Sequence, residues 1–204
     1  MTVIVDYGVG NLFSLKSSLS KIGEAAVVSG NKNEILSASR IILPGVGAFS
    51  DAAEKLSETG LGETLKTAAL RGIPILGICL GMQLLFEKSY EFGECDGLAL
   101  IKGTVKPIAS EIGRLKVPHM GWNSLRFTEN HSRLYKYIND GDYVYFVHSY
   151  AAKDCDEFVT AYADYGVALT ASVESGNVYG TQFHPEKSGD TGLKILKAFC
   201  EVGA

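Results

Sequence analysis

Short segments made almost entirely of apolar residues recur through the first half of the chain, at positions 3–5, 26–28, 41–43 and 75–78. A strand with this pattern is buried on both faces, as in a parallel sheet that is covered by helices. We therefore predict four central strands at these positions.

Segments with helical periodicity lie between and after these strands. The first has apolar residues at the spacing of one helical face, at Leu12, Leu15, Leu19 and Ile22. A second spans about 50–71 and is broken at Gly60. A third begins after the fourth strand, with Met82, Leu84, Leu85 and Phe86. This alternation predicts an α/β fold with an open, doubly wound, mostly parallel central sheet and helices on both faces.

The second half has a different pattern. Strand-like segments separated by Gly, Asp and Asn turns occur at 98–101, 143–147, 158–162, 168–173 and 178–183. Several alternate in polarity, which indicates a smaller antiparallel or mixed sheet, and a last helix is predicted over about 191–200. No repeat or linker interrupts the chain, so we expect residues 1–204 to form a single domain.

Composition excludes several classes of protein. Hydrophobic residues make up 46% of the 204 residues, which is too high for a disordered chain. The formal net charge is -4 and no stretch is rich in Lys and Arg, so we expect neither a nucleic acid nor a membrane as partner. The early apolar run is too short for a signal peptide or a membrane span, which favours a cytoplasmic location.

The four cysteines, Cys79, Cys95, Cys155 and Cys200, are far apart in sequence and form no CxxC pair. A structural zinc site or a disulfide framework is therefore not expected. We also expect no nucleotide cofactor, because the Gly8-x-Gly10 segment has Phe13 where the dinucleotide fingerprint requires a glycine.

The candidate nucleophile is Cys79, in the segment Gly77-Ile78-Cys79-Leu80-Gly81. A Gly-x-nucleophile-x-Gly sequence between a strand and a helix is typical of a nucleophile elbow, whose turn is too tight for larger side chains at the glycines. The helix N-terminus favours the thiolate, and the N–H of Leu80 is placed to donate to an oxyanion. The alternative is a buried structural cysteine, which we prefer for Cys200, while acidic neighbours disfavour thiolates at Cys95 and Cys155.

The candidate base is His184, at the end of a predicted strand in the segment Phe183-His184-Pro185-Glu186. Proline holds the preceding residue in an extended conformation, in which residues i and i+2 point the same way. Glu186 can therefore orient the imidazole, as the third member of a triad does. Among the other histidines, His131 lies in a polar stretch and is expected to be solvated.

Together, the cysteine elbow and the later His-Pro-Glu segment resemble the class I glutamine amidotransferases across nearly the whole chain. This resemblance implies that Cys79 attacks the side-chain amide of L-glutamine, forms a glutamyl thioester and releases ammonia. It implies no cofactor and no metal.

The resemblance also implies roles for residues around the cysteine. The loop Gly45-Val46-Gly47 follows the strand next to the nucleophile, and Val46 or Gly47 can offer a second oxyanion N–H. Residues that would bind glutamine are Gly45, Gln83, His148, Ser149 and Tyr150. The structural alternatives are a plain tight turn at 45–47, a solvated Gln83 and a buried core histidine at 148.

Further segments resemble one branch of the family, the glutaminase subunits that serve a separate cyclase subunit in histidine biosynthesis. These segments are 6–12, 44–49, 118–123 and 146–150. The resemblance implies a heterodimer with the cyclase, in which the partner is contacted by Asn11, Pro118, Met120, Trp122 and Lys187. Met120 and Trp122 can otherwise be ordinary core residues.

Three other functions remain open at this point. The chain can be the glutaminase of a synthase that makes anthranilate, pyridoxal phosphate or guanylate, although segments 6–12 and 118–123 argue against it. It can be a catalytically inactive regulatory subunit on the same fold, which the intact Cys-His-Glu set argues against. It can also be a cysteine peptidase or amidase, which labelling with a glutamine analogue would distinguish.

Overall fold

In the computed structural model, which describes residues 1–203, the first half of the chain alternates strands and helices. The strands are β1 (Thr2–Val5), β2 (Ala26–Ser29), β3 (Arg40–Gly45) and β4 (Ile75–Cys79). The helices among them are α1 (Leu12–Lys21), α2 (Lys32–Leu36), α3 (Phe49–Glu58) and α4 (Leu61–Leu70). All four predicted strands are confirmed, and so is the helix break at Gly60, which lies between α3 and α4 with φ 67°.

The second half contains shorter elements. After the one-turn helix α5 (Leu80–Gln83), the strands are β5 (Lys88–Ser89), β6 (Cys95–Asp96), β7 (Thr104–Pro107), β8 (His119–Ser124), β9 (Arg126–Phe127), β10 (Tyr143–His148), β11 (Tyr150–Lys153), β12 (Val159–Tyr165), β13 (Val167–Ser175) and β14 (Val178–Thr181). The chain then forms helix α6 (Gly189–Cys200).

The central sheet has eight strands in the order β2-β1-β3-β4-β14-β13-β12-β9. The first five strands are parallel, and the pairings beyond β14 are antiparallel. A two-stranded ribbon, β10-β8, and a four-stranded sheet, β11-β7-β5-β6, stand apart from it. The predicted fold class is confirmed, but the segments predicted at 158–183 extend the central sheet, and the smaller sheets are built largely from other strands.

Helices cover both faces of the central sheet. Val3 and Val5 of β1 belong to the hydrophobic cluster that contains α3 and α4, whereas Ile4 belongs to the cluster with α1 and α6. Successive side chains of a strand point to opposite faces, so a strand that is apolar throughout contributes to both clusters. In residues 1–203, no helix has both the length and the apolar character needed to span a membrane.

Two predicted elements around residue 90 are wrong. The helix expected to continue through Leu84 and Phe86 ends at Gln83, and the strand expected at 98–101 does not form. Instead, the two segments bond to each other, since the N–H groups of Leu98 and Ala99 donate to the carbonyls of Leu84 and Phe86 at 2.8 and 3.0 Å. This exchange satisfies the buried backbone groups that a longer helix would have paired internally.

Candidate active site

Cys79 lies at the carboxyl end of β4, between the parallel strands β3 and β14. Its backbone has φ 55° and ψ -112°, a conformation that costs a non-glycine residue on the order of 1–3 kcal/mol. Helix α5 begins at the next residue, so the chain turns sharply and leaves the thiol above the sheet edge, with 8% of the residue exposed. The predicted elbow geometry is present, although a single helical turn contributes only a small dipole.

Close backbone packing explains the glycines of the elbow. A Cβ atom at Gly77 would lie 2.6 Å from the Gly81 carbonyl oxygen, and one at Gly81 would overlap the Leu43 carbonyl oxygen. Gly45 pairs with Cys79 in the β3–β4 ladder, and its Cβ would lie 2.7 Å from the Gly81 nitrogen. A side chain at Gly45 or Gly81 would push β3 away from the turn that carries Cys79, and one at Gly77 would open the turn itself.

His184 and Glu186 are brought to the same sheet edge by β14, which pairs in parallel with β4. His184 Nδ1 lies 2.9 Å from Glu186 Oε1, and both side chains are almost completely buried. The carboxylate accepts the Nδ1 proton, which leaves Nε2 for the hydrogen bond with Cys79. The structure therefore brings together the three residues that the sequence proposed as a triad.

The surroundings of His184 favour its protonated form. Burial alone lowers the pKa of the imidazole, but the hydrogen bonds and negative charges of Cys79 and Glu186 outweigh burial and raise it to about 9. A protonated His184 stabilises a thiolate beside it, and a reactive cysteine requires the thiolate form.

A second set of hydrogen-bonded side chains, which the sequence did not suggest, reaches the sulfur from inside the protein. The Gln83 side-chain nitrogen donates to Gln182 Oε1 at 3.0 Å, and the Gln182 nitrogen lies 3.8 Å from Cys79 Sγ. Gln182 is fully buried and stands two residues before His184 on β14 and its extension. That spacing places the side chains of Gln182 and His184 on the same side of an extended chain. It is the feature of the sequence that could have identified Gln182. Gln83 is buried, so it is not a solvated helix residue.

The triad opens into a cavity of about 320 Å³. Residues that line it are Val46, Gly47, Cys79, Leu80, Gln83, Glu91, Pro118, Val147, His148, Ser149, Tyr150, His184 and Lys187. The cavity thus includes every predicted oxyanion and substrate residue except Gly45, which packs against the elbow instead. Gly47 has φ 94°, a left-handed conformation that glycine adopts without strain.

Glu91 adds a carboxylate to the cavity that sequence inspection did not suggest. Its Oε2 accepts a 2.7 Å hydrogen bond from the N–H of Phe49, the first residue of α3. Residue 48 provides no side-chain cap there, so Glu91 caps the helix from 42 positions away. Because this contact depends on the β5–β6 turn folding over α3, no local pattern reveals it.

The predicted partner-facing residues lie around the same end of the molecule. Met120 and Trp122 point outward from β8 and are 60% and 55% exposed, so they are not core residues. The Trp122 ring contacts Tyr145 edge-on, and the Lys187 amine lies 5.9 Å from the centre of the Tyr145 ring. Pro118 and Lys187 form the rim of the pocket.

Asn11 occupies a different position from the other predicted contact residues. Its side chain caps α1 by accepting from the N–H of Ser14 at 3.4 Å, and it lines a small cavity behind His184 and Glu186. The side chain therefore links the start of α1 to the back of the triad.

The other three thiols lack a comparable setting. Burial raises the pKa of Cys155 to about 12 and that of Cys200 to about 11, and burial followed by the charge of Asp96 raises the pKa of Cys95. All four cysteines are free thiols. Within residues 1–203, no group of three His, Cys, Asp or Glu side chains is arranged to hold a metal ion.

Known proteins share both the sequence and this architecture. A family model described as glutamine amidotransferase class-I matches residues 3–202. The chain is 50% identical over 200 residues to the imidazole glycerol phosphate synthase subunit HisH of Lactococcus lactis, covering 98% of this chain and 97% of the relative. It is 47% identical over 199 residues to the subunit of the same name from Bacillus thuringiensis, covering 98% and 93%.

Solved structures with similar folds are more distant in sequence. A crystal structure of a glutamine amidotransferase superposes with a TM-score of 0.77 at 19% identity, covering 98% of each chain. PurLQS from Thermotoga maritima gives 0.75 at 22% identity, covering 98% of this chain and 96% of that one.

Proposed function

Because the chain belongs to the class I glutamine amidotransferase family, we propose that it is the glutaminase subunit of imidazole glycerol phosphate synthase. It hydrolyses L-glutamine to glutamate and ammonia. The observation that carries the proposal is the strained Cys79 beside the His184–Glu186 pair, in the lining of the cavity. The names of the two relatives that match nearly the whole chain support the choice of synthase.

The first half-reaction forms a thioester. The Cys79 thiolate attacks the carbonyl carbon of the glutamine side chain, and negative charge develops on the carbonyl oxygen. The N–H of Leu80, at the start of α5, has no partner within its own helix and can donate to this oxygen. The loop at Val46 and Gly47 supplies the second donor. His184 then gives its proton to the departing nitrogen, so that ammonia leaves as a neutral molecule.

The second half-reaction releases glutamate. His184, now neutral, takes a proton from a water molecule that attacks the thioester carbonyl, and the resulting oxyanion uses the same N–H donors. Collapse of this intermediate expels the Cys79 thiolate and leaves His184 protonated again. Glu186 holds the imidazole in one tautomer throughout and forms no bond to substrate.

Recognition of glutamine is assigned to the other side of the cavity. Glu91 presents a carboxylate toward which the α-ammonium group of glutamine can turn. Gln83, His148 and the backbone of Ser149 and Tyr150 surround the amino-acid end of the substrate. Charge complementarity at Glu91 would reject ligands that have an amide side chain but no free amine.

The ammonia passes to a separate cyclase subunit, which makes imidazole glycerol phosphate and an aminoimidazole carboxamide ribonucleotide in histidine biosynthesis. Exposed aromatic and Met side chains are favoured at protein interfaces, and Trp122 and Met120 provide them beside the pocket rim at Pro118 and Lys187. We assign Asn11 to the same interface. The subunit acts in the cytoplasm as one glutamine amidotransferase domain of residues 1–204.

The proposal is tested by separating the two half-reactions with Cys79→Ala in the complex with the cyclase. The variant complex should lose glutamine-dependent product formation by at least about 10⁴-fold, because the nucleophile is gone. It should form product at the wild-type rate from ammonium salt at alkaline pH, since the cyclase needs only neutral ammonia. The measurement is imidazole product formed from each nitrogen source.

Cys95→Ala is the matched control, since this half-buried thiol does not line the cavity. It should behave as wild type with both nitrogen sources. If the Cys79→Ala complex still makes product from glutamine, Cys79 is not the nucleophile. If ammonium supports the cyclase alone but not the variant complex, Cys79 has a role beyond glutamine hydrolysis.

A further inference from the structure

A continuous hydrogen-bonded chain of two buried histidines and a half-buried asparagine runs behind the cavity. His148 Nδ1 lies 2.8 Å from the Tyr150 carbonyl oxygen, and His148 Nε2 lies 2.9 Å from His119 Nδ1. His119 Nε2 in turn lies 3.3 Å from the side-chain nitrogen of Asn123. Of these residues, only His148 and Tyr150 have a role in the reaction as proposed so far.

The chemistry of the end groups allows one arrangement of protons. A carbonyl oxygen can only accept, so His148 carries its proton on Nδ1 and must accept at Nε2. His119 then donates from Nδ1 and accepts at Nε2 from the Asn123 amide. Burial lowers the pKa of His148 to about 3 and that of His119 to about 4, so both rings are neutral and each has one donor and one acceptor nitrogen.

His119 is held firmly in this position. Its ring is stacked between Phe146, at a centroid distance of 4.7 Å, and Tyr165, at 4.2 Å. Only 3% of the residue is exposed, and it does not line the cavity. It pairs directly with His148 across the β8–β10 ribbon, so the two backbones and the two rings are in register.

The hydrogen-bonded chain ends at the Tyr150 carbonyl, which also holds a residue on the substrate side of the cavity. The Gln83 side-chain nitrogen donates to the Tyr150 oxygen at 3.1 Å while it donates to Gln182 at 3.0 Å. His148 and Gln83 therefore fix the same oxygen from two sides. If His148 loses its partner, the turn at 148–150 and the Gln83 amide can both shift.

We propose that His119 is a positioning residue for glutamine binding, which acts through His148 to hold the Tyr150 carbonyl and the Gln83 amide in place. The inference rests on the proposed glutaminase function. His119 and Asn123 form the inward side of β8, and Met120 and Trp122 form its outward side. The strand assigned to the cyclase interface thus also carries the far end of the chain that holds the substrate site.

The proton arrangement can be measured in the wild-type protein by side-chain ¹⁵N NMR of its four histidines at neutral pH. Both His119 and His148 should show the neutral Nδ1–H tautomer. Each signal is assigned by its loss in a variant that lacks that histidine. An Nε2–H tautomer or an imidazolium at either residue would overturn the proposal. This measurement does not depend on activity.

The kinetic test is His119→Phe in the cyclase complex, with His131→Phe as the matched substitution at an exposed histidine. Phenylalanine preserves the stack with Phe146 and Tyr165 but cannot donate to His148. We expect KM for glutamine to rise about tenfold and kcat to change by less than about threefold, because the triad itself is untouched. His131→Phe should leave both constants unchanged.

Alkylation of Cys79 by iodoacetamide, which has no amino-acid end, separates positioning from general damage to the site. The alkylation rate should be the same in wild type and His119→Phe. An unchanged KM, or equal losses of kcat and alkylation rate, would refute the positioning role. If the wild-type complex fails to use glutamine at all, the proposed function fails, whereas the NMR result still decides whether the proton chain exists.

Discussion

Two buried histidines line the same cavity, and their surroundings shift their pKa values in opposite directions. At His184, burial is outweighed by Cys79 and Glu186, and the pKa rises to about 9. At His148, burial dominates, the backbone bond to Tyr150 only partly opposes it, and repulsion from the protonated forms of His119 and His184 adds to the lowering, so that the pKa is about 3. Burial disfavours the charge at both rings, and only His184 has a thiol and a carboxylate beside it to outweigh burial.

The opposite pKa shifts of the two histidines indicate different roles for the two sides of the cavity. A ring beside a thiol and a carboxylate can exchange a proton with the substrate, whereas a ring between a carbonyl and another neutral histidine can only hold a fixed hydrogen bond. In the proposed function, the side with Cys79 and His184 therefore carries out the chemistry, and the β8–β10 side binds the substrate. This difference in roles is tested by substituting one histidine on each side of the cavity.

The largest effect is expected from His184→Ala. Loss of the base and of the charge beside the thiolate should lower kcat for glutamine hydrolysis by about 10⁴-fold. His148→Asn keeps an amide donor near the position of Nδ1, so its loss should be about tenfold at most and should appear mainly in KM. Steady-state glutamate release by both variants, each with the cyclase, gives the comparison.

The comparison fails if the two variants lose kcat to a similar extent. A fully active His184→Ala variant would remove this residue from the chemistry. A loss of kcat by His148→Asn that matches His184→Ala would mean that the neutral histidine also transfers a proton. Circular dichroism of both variants checks that a loss of kcat does not come from unfolding.

A smaller effect concerns stability and tests the raised pKa directly. His184 binds its proton more tightly in the folded state, so its contribution to stability is complete below the unfolded pKa of about 6.5. That contribution is lost as the pH rises through about 9. Glu186→Gln removes one of the charges that raise the pKa, so the variant should lose less stability over this range, by on the order of 1–3 kcal/mol.

Urea unfolding of the wild type and the Glu186→Gln variant at pH 6 and at pH 9.5 measures this difference. Titration of surface lysines and tyrosines is common to both proteins and cancels in the comparison. Identical pH dependence in the two proteins would show that Glu186 does not hold the charge of His184. A wild type that gains stability toward pH 9.5 relative to the variant would reverse the sign of the argument.

How far the sequence alone predicted these features depended on how local their causes are. The four apolar strands and the elbow at Cys79 are encoded within a few residues, by all-apolar runs and by glycines that the turn requires, so they were predicted correctly. The spacing of His184 and Glu186 is equally local. The family resemblance, confirmed over residues 3–202, added the pocket residues around Ser149 and Tyr150.

What the sequence did not reveal depends on distant contacts. The segment at 98–101 looks like a strand because it is apolar, yet it pairs with the carbonyls of residues 84–86 and prevents the helix there from continuing. Glu91 reaches the pocket only because a turn folds over α3, and His119 meets His148 only through the register of a ribbon. No periodic pattern in the sequence predicts such long-range contacts.

The smallest effect concerns the two sides of a single strand, β8. One side supports the pocket, and the other side faces outward. Trp122 is on the outward side, where half of its surface is exposed beside Tyr145, so its truncation should weaken cyclase binding about tenfold or more. Leu70→Ala is the control, since Leu70 is 89% exposed at the end of α4, away from the carboxyl ends of the strands. Titration calorimetry with the cyclase measures both affinities.

Once saturated with cyclase, the Trp122→Ala variant should have the wild-type KM for glutamine, because the Trp122 side chain does not belong to the hydrogen-bonded chain of His119. A wild-type affinity in this variant would remove Trp122 from the interface, and a raised KM at saturation would mean that the two sides of β8 do not act separately.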